Sequence, residues 1–199
     1  MKPQMKDIVT FDVSDEMIVE AKKIRAKRDE IYGNIYQDRD TDERWVGDLG
    51  EIVINHALML CREYDTIWHN ELQAAGNEDF TFCHLPLEVK TVKRKVPLRP
   101  HYKAQITARH IDSPADWLVF LSYEYPVKKM HVKGVMHKDA FKEKAEYYGA
   151  GDQVHSAYTI REGHEIYAVG IRDMMPFRKF LRDAMDGKLI RPPLLNTAM

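Results

Sequence analysis

The chain has 199 residues, of which 44% are hydrophobic, and this length and composition suit one well-buried domain. Its 30 lysines and arginines nearly balance 31 aspartates and glutamates, so the net charge of −1 gives no sign of a polyanionic partner. Two widely spaced cysteines, no apolar signal core at the N-terminus and no wholly apolar run longer than about five residues predict a soluble, reduced, cytoplasmic protein.

The N-terminal part of the chain predicts two helices. The first begins after Ser14, a suitable N-cap, keeps apolar residues at helical spacing and ends at Gly33. The second runs from about residue 42 to residue 61 and contains Gly47 and Gly50 within one turn. Each glycine costs about 1 kcal/mol of helix stability relative to alanine. We therefore expect another element to pack closely against this turn.

Strand patterns follow. The segments "DFTFC" and "LEVKTV" predict an antiparallel hairpin that turns near His84, and "WLVFLSY", "HVKGVM" and "EIYAVGI" predict three later strands. Two further helices are predicted at "KDAFKEKAEYY" and "MMPFRKFLRDAM", and the tail at 189–199 is expected to be extended. Helices, then strands, then mixed elements indicate a single α/β domain with a mixed central sheet.

Strand alternation groups the residues of the hairpin by face. If Phe80, Leu87 and their alternating neighbours face the core, Asp79, Glu88 and Lys90 share the opposite face. Two neighbouring carboxylates repel each other unless a cation lies between them, and oxygen ligands of this type suit Mg²⁺ or Mn²⁺. Such a site polarises a phosphodiester and activates water, and a nearby lysine orients that water.

The same residues also have simpler interpretations. A Glu-x-Lys sequence occurs by chance roughly once in a chain of this size, and alone it more often marks a solvated ion pair. Asp186-Gly187-Lys188 has the same spacing but lies where a helix should end, so we interpret it as structural. Glu51, on the glycine-notched helix, is either a third carboxylate over the sheet or an ordinary polar position.

A local excess of positive charge follows the strand acids. From residue 89 to residue 111 there are seven lysines or arginines and no acid. This run predicts a phosphate-binding edge that steers a polyanion toward the carboxylates, with a solvated basic loop as the alternative. The candidate phosphate contacts are Lys93, Arg94, Lys95, Arg99 and Lys103.

Together these residues resemble the PD-(D/E)xK nuclease superfamily, whose members carry a helix glutamate, a strand aspartate and then (D/E)-x-K on the next strand. Glu51, Asp79, Glu88 and Lys90 occur in that order, although Glu78 replaces the proline of the motif. The segment from residue 131 to residue 154 is also similar to small phage and mobile-element members. The resemblance implies a restriction-endonuclease-like fold, a four-stranded mixed sheet flanked by α-helices.

The resemblance also implies roles for these residues. Asp79 and Glu88 would bind Mg²⁺, which Mn²⁺ could replace, with the Val89 carbonyl as a further candidate ligand; Glu51 would support the metal or its water, and Lys90 would act in catalysis. Residues 41–125 would form the catalytic core, between a helical segment at 1–40 and an α/β part at 126–188.

The predicted function is metal-dependent hydrolysis of phosphodiester bonds by an endonuclease, with DNA as the expected substrate. A homodimer is one arrangement that would allow both strands to be cut. Two alternatives remain open: a non-catalytic DNA-binding or assembly module on the same fold, and an RNA-processing nuclease. A membrane partner is not expected.

Overall fold

A computed structural model of the chain describes residues 7–33, 43–61, 63–70, 77–155 and 158–189. Within these ranges there are four α-helices: α1 (Asp15–Tyr32), α2 (Trp45–Met59), α3 (Lys138–Lys144) and α4 (Phe177–Met185). The strands are β1 (Val9–Asp12), β2 (Thr66–Trp68), β3 (Phe80–Phe82), β4 (Leu85–Arg94), β5 (Lys103–Thr107), β6 (Trp117–Glu124), β7 (Lys129–His137), β8 (Glu146–Tyr148), β9 (Gln153–His155), β10 (Tyr158–Thr159) and β11 (Ile166–Gly170).

The predicted mixed α/β architecture is confirmed, but the main sheet is larger than expected. It contains six strands in the order β1-β7-β6-β4-β3-β2, rather than four. The difference arises because β7 and β1 extend the sheet beyond β6. Strands β4 and β6 are parallel, and every other neighbouring pair in this sheet is antiparallel.

A second, three-stranded sheet forms in the order β5-β11-β8, and β9 pairs with β10. The parallel connection between β4 and β6 passes through β5 and a short 3₁₀ helix, Ala108–His110. This connection covers one face of the main sheet, where Ile106 of β5 packs in a core with Leu118 and Phe120 of β6. The other face packs against α2 and α4, with Val119 and Leu121 in that second core.

The helix signals near the N-terminus are confirmed. Ser14 caps α1, since its Oγ accepts a hydrogen bond from the Met17 amide at 3.2 Å, and Gly33 ends it with a φ of 72°. Helix α2 lies within the predicted segment 42–61 but is shorter at both ends, since it begins at Trp45 and ends at Met59. The expected close packing occurs at one of its two glycines. A Cβ added to Gly50 would lie 1.9 Å from Thr91 Oγ1 of β4, whereas a Cβ added to Gly47 would have no atom within 4 Å.

The predicted hairpin is also present. Phe80 pairs with Leu87, and the turn is made by Cys83 and His84, both of which adopt positive φ. The later predicted strands correspond to β6, β7 and β11. One prediction is wrong in part: the helix expected at 138–148 ends at Lys144, and residues 146–148 form β8 because they pair with β11.

Some expectations fall outside the described part of the chain. The tail that is expected to be extended lies there from residue 190 onward, as does residue 42, near the predicted start of the second helix. Within the described residues, no helix combines the length and apolar character needed to cross a membrane.

Candidate active site

Strand β4 places Glu88 and Lys90 on the opposite sheet face from Leu87 and Val89, as the alternation predicts. Glu88 is only 7% exposed, and one of its carboxylate oxygens forms an ion pair with the Lys90 ammonium. The other oxygen, Oε2, is buried and has no hydrogen-bond partner among the described residues. A buried acceptor without a donor is costly, so this oxygen is available to a ligand.

Asp79 lies where β3 and β4 separate. Its amide donates to the Leu87 carbonyl at 2.9 Å. Because β3 begins only at Phe80, the next β4 amide that points toward β3, that of Val89, has no backbone partner on β3. The Asp79 carboxylate takes that place, since its Oδ2 accepts a hydrogen bond from the Val89 amide at 2.7 Å. The N–H and C=O of one strand residue point to the same side, so the Val89 carbonyl also faces Asp79.

This placement corrects one detail of the sequence interpretation. Asp79 was expected on the sheet face that carries Glu88, but it precedes the strand and lies at the open edge of β4. From this edge it can interact with groups on both faces of the sheet.

Glu51 projects from α2 and is 6% exposed. The absence of a side chain at Gly50 lets the helix backbone approach Thr91 and brings the neighbouring Glu51 close to β4. Arg28 of α1 donates to both carboxylate oxygens of Glu51 at 2.8 Å, and the Trp68 indole N–H donates to Oε2 at 3.3 Å. Glu51 is therefore a paired and oriented carboxylate.

The other three predicted side chains, Glu51, Glu88 and Lys90, all lie within electrostatic reach of the Asp79 carboxyl. Burial of the Asp79 carboxyl raises its pKa well above the ordinary value, the negative charge of Glu51 raises it further, and Lys90 opposes these effects. Glu88 also acts on Asp79 and raises its pKa. Repulsion among buried carboxylates of this kind is relieved by a proton or by a cation.

The expected metal ligands are not arranged as a closed set. Among the residues that the structure describes, no group of three or more His, Cys, Asp or Glu side chains has a geometry suited to holding a metal ion. Glu88 is paired with Lys90, Asp79 with the Val89 amide and Glu51 with Arg28.

His110 is a neighbour of the site that the sequence reasoning did not select. It lies at the end of the 3₁₀ helix after β5, and burial lowers its pKa, as does the positive charge of Lys90; Glu88 acts in the opposite sense. No motif spacing connects His110 with Glu88. The only sign of His110 in the sequence was its place in the run without acids. It comes near Lys90 because the connection between β4 and β6 folds back toward that residue, which no local pattern predicts.

The basic residues between 89 and 111 do not form a single phosphate-binding edge in the structure, because several of them are engaged by other side chains. Lys93 pairs with Glu43 and lies over the Tyr125 ring at 4.8 Å, while Arg94 lies over the Tyr102 ring at 4.3 Å. Lys103, on β5, donates to Glu146. Of the five candidate phosphate contacts, the two that are exposed are Lys95 and Arg99.

In comparisons with known proteins, no family model matches the chain and no curated protein matches it significantly. The functional proposal therefore depends on the residues and on the geometry around Asp79.

Proposed function

We propose that the protein is a metal-dependent nuclease that hydrolyses phosphodiester bonds in DNA, with a PD-(D/E)xK-type site on a restriction-endonuclease-like fold. The order of the elements supports the fold assignment. Helix α2 precedes β2, β3 and β4, which are antiparallel neighbours, and β6 then adds in parallel beside β4. The two further strands, β7 and β1, extend this four-stranded unit.

One observation carries the proposal: Glu88 has a buried oxygen without a donor, and it acts on Asp79, a carboxyl whose pKa is raised first by burial and then by the negative charges of Glu51 and Glu88. A divalent cation would satisfy both groups. The donor set also fits Mg²⁺ or Mn²⁺, because Asp79, Glu88 and the Val89 carbonyl supply only oxygen atoms. When bound there, such an ion would polarise a phosphodiester and lower the pKa of a water molecule.

The protein's own groups would supply the remaining functions. The Lys90 ammonium, 19% exposed, can donate to an attacking water and offset negative charge on the phosphorus oxygens. Its partner Glu88 holds it in place before substrate binds. Lys95 and Arg99 are exposed and can contact backbone phosphates, which would position a nucleic acid without reading its sequence.

The test is a comparison of two lysines with the same local spacing. Lys90 follows Glu88 by two residues, and Lys188 follows Asp186 by two residues and pairs with it at 2.6 Å on the surface. We expect Lys90→Ala to reduce Mg²⁺-dependent cleavage of duplex DNA at least about 100-fold, the usual contribution of a positioned catalytic group. Lys188→Ala should cleave at the wild-type rate.

DNA binding, measured by fluorescence anisotropy with Ca²⁺ in place of Mg²⁺, should be similar for the two variants. Cleavage by Lys90→Ala at the wild-type rate would contradict the assignment of the site. Cleavage of RNA but not of DNA by the wild-type protein would retain the chemistry and replace the substrate. DNA binding without cleavage of any nucleic acid would favour a non-catalytic module.

A further inference from the structure

Helix α1 packs apolar side chains, among them Ile18 and Ile24, against the core, and several charged side chains link it to α2. Arg25 donates to both oxygens of Asp48, at 2.8 and 3.0 Å, and Arg28 donates to Asp48 at 2.7 Å. Arg44, just before α2, donates to both oxygens of Asp29. Ala21 is the only α1 residue that is fully buried. These ion pairs therefore matter for how α1 is held.

Arg25 and Arg28 differ in their contacts with Glu51. Arg25 and Arg28 both contact Asp48, which is completely buried, but Arg28 also forms two parallel hydrogen bonds with Glu51. This fork-to-fork geometry fixes the plane of the carboxylate as well as its position. Burial alone would lower the pKa of Arg28, but its hydrogen bonds to Glu51 and the charges of Glu51 and Asp48 raise it, and Asp79 adds to this effect from within electrostatic reach.

The pairing changes the charge of the candidate metal site. The charges of Glu51 and Glu88 both act on Asp79, but Arg28 neutralises Glu51 and donates to both of its oxygens. The Trp68 indole holds Oε2 as well. Only Asp79 and Glu88 are then left to bind a cation directly, and Mg²⁺ is normally held by one or two carboxylates together with waters and phosphate oxygens.

We propose that Arg28 is a positioning residue that neutralises Glu51 and keeps it out of the coordination shell of the cation, so that the site presents two carboxylates rather than three. This inference rests on the proposed nuclease function. It assigns to α1 a part in the site, and it gives Glu51 the role of an outer partner rather than that of a direct metal ligand.

The test compares Arg28→Met with Arg25→Met, because each variant removes a guanidinium from Asp48 and only the first removes one from Glu51. Mn²⁺ binding is measured by titration calorimetry on the full chain at one alkaline pH, without nucleic acid, together with the melting temperature. Both variants should melt at a lower temperature than the wild type, since each leaves a buried carboxylate less well paired.

Their Mn²⁺ affinities should differ. Arg28→Met should bind Mn²⁺ about tenfold more tightly and cleave more slowly, because one positive charge near the cation is lost and Glu51 is released toward it. Arg25→Met should stay within about twofold of the wild-type affinity. Arg28→Lys, which keeps the charge, should bind as the wild type does, and Glu51→Gln added to Arg28→Met should restore the wild-type affinity.

Unchanged or weaker Mn²⁺ binding by Arg28→Met would overturn the proposal, as would equal tightening in Arg25→Met or persistence of tight binding in the double variant. Glu88→Gln is measured in parallel to separate this inference from the function on which it rests. Absence of Mn²⁺ binding by the wild type, or full binding by Glu88→Gln, would contradict the nuclease site itself and the role of Arg28 with it.

Discussion

Lys133 is buried in the protein interior, whereas lysine side chains are normally exposed to solvent. It is 1% exposed, its Nζ has no hydrogen-bond partner within the described part of the chain, and the Phe120 ring centroid lies 6.0 Å away. It occupies the bulge of β7, where the register against β6 shifts. Burial lowers the pKa of Lys133 from 10.5 to about 7, and the nearby charge of Arg94 acts in the same direction.

Stability should therefore depend on pH through this residue. Below pH about 7 the folded protein must carry a buried ammonium, and between about 7 and 10.5 the unfolded chain binds more protons than the folded one, so stability rises with pH. Lys133→Met should remove this contribution to the rise and increase the free energy of unfolding at pH 6 by about 1–4 kcal/mol. Urea unfolding of both proteins from pH 6 to pH 10 measures the difference.

Lys142→Met is the control, because Lys142 pairs with Asp112 on the surface and is 40% exposed. It should change the free energy of unfolding by less than about 1 kcal/mol at every pH. A Lys133→Met protein that is less stable than the wild type at pH 6, or that keeps the full rise with pH, would show that the ammonium is not buried.

For individual side chains, the sequence predicted the sheet face correctly where residues alternate along one strand. The positions of Glu88 and Lys90 followed from Leu87 and Val89 in the core. The partners Arg28 and Trp68, and the neighbour His110, could not be predicted, because they reach the site from other elements. No spacing rule describes such contacts between distant parts of a chain.

The two glycines of helix α2 have different environments, which the sequence pattern of the helix could not distinguish. A Cβ on Gly50 would meet Thr91 Oγ1 at 1.9 Å, while Gly47 has open space around it. Loss of helix propensity at Gly50 is thus offset by close packing of the helix on β4, which also positions Glu51. Gly47 has no such compensation in the described structure.

These environments predict opposite effects of alanine. Gly50→Ala should lower the free energy of unfolding by about 1–3 kcal/mol, because the methyl group forces Thr91 or the helix to move. Gly47→Ala should raise it by up to about 1 kcal/mol, since alanine is the better helix former and meets no atom. Denaturant unfolding of both variants measures the sign, and equal effects would contradict the close approach of α2 to β4.

All the elements with long periodic patterns were predicted, whereas several of the short ones were not. Helices α1, α2 and α4 and strands β4, β6 and β7 carry enough residues to establish a period. Strands β1, β2 and β5 have three to five residues each and were missed. Residues 146–148 follow helix α3 directly in the sequence, but they form strand β8 rather than a further helical turn because they pair with β11.

The candidate site depends on the way the fold brings three elements together at one edge of β4. Helix α2 brings Glu51, the start of β3 brings Asp79, and β4 itself supplies Glu88 and Lys90. Strand alternation and motif order predicted this group of residues, but the number of strands around it could not be predicted, because β1 joins the sheet by pairing with β7, far along the chain.

The most direct test of the account is cleavage of supercoiled plasmid by the wild type and by Glu88→Gln, each with Mg²⁺, with Mn²⁺ and with EDTA. Glutamine keeps the size of the side chain and removes the charge that a cation needs. We predict metal-dependent nicking by the wild type, its loss in EDTA and a fall of at least about 100-fold in Glu88→Gln. Cleavage that persists in EDTA, or that Glu88→Gln retains at the wild-type rate, would contradict the account.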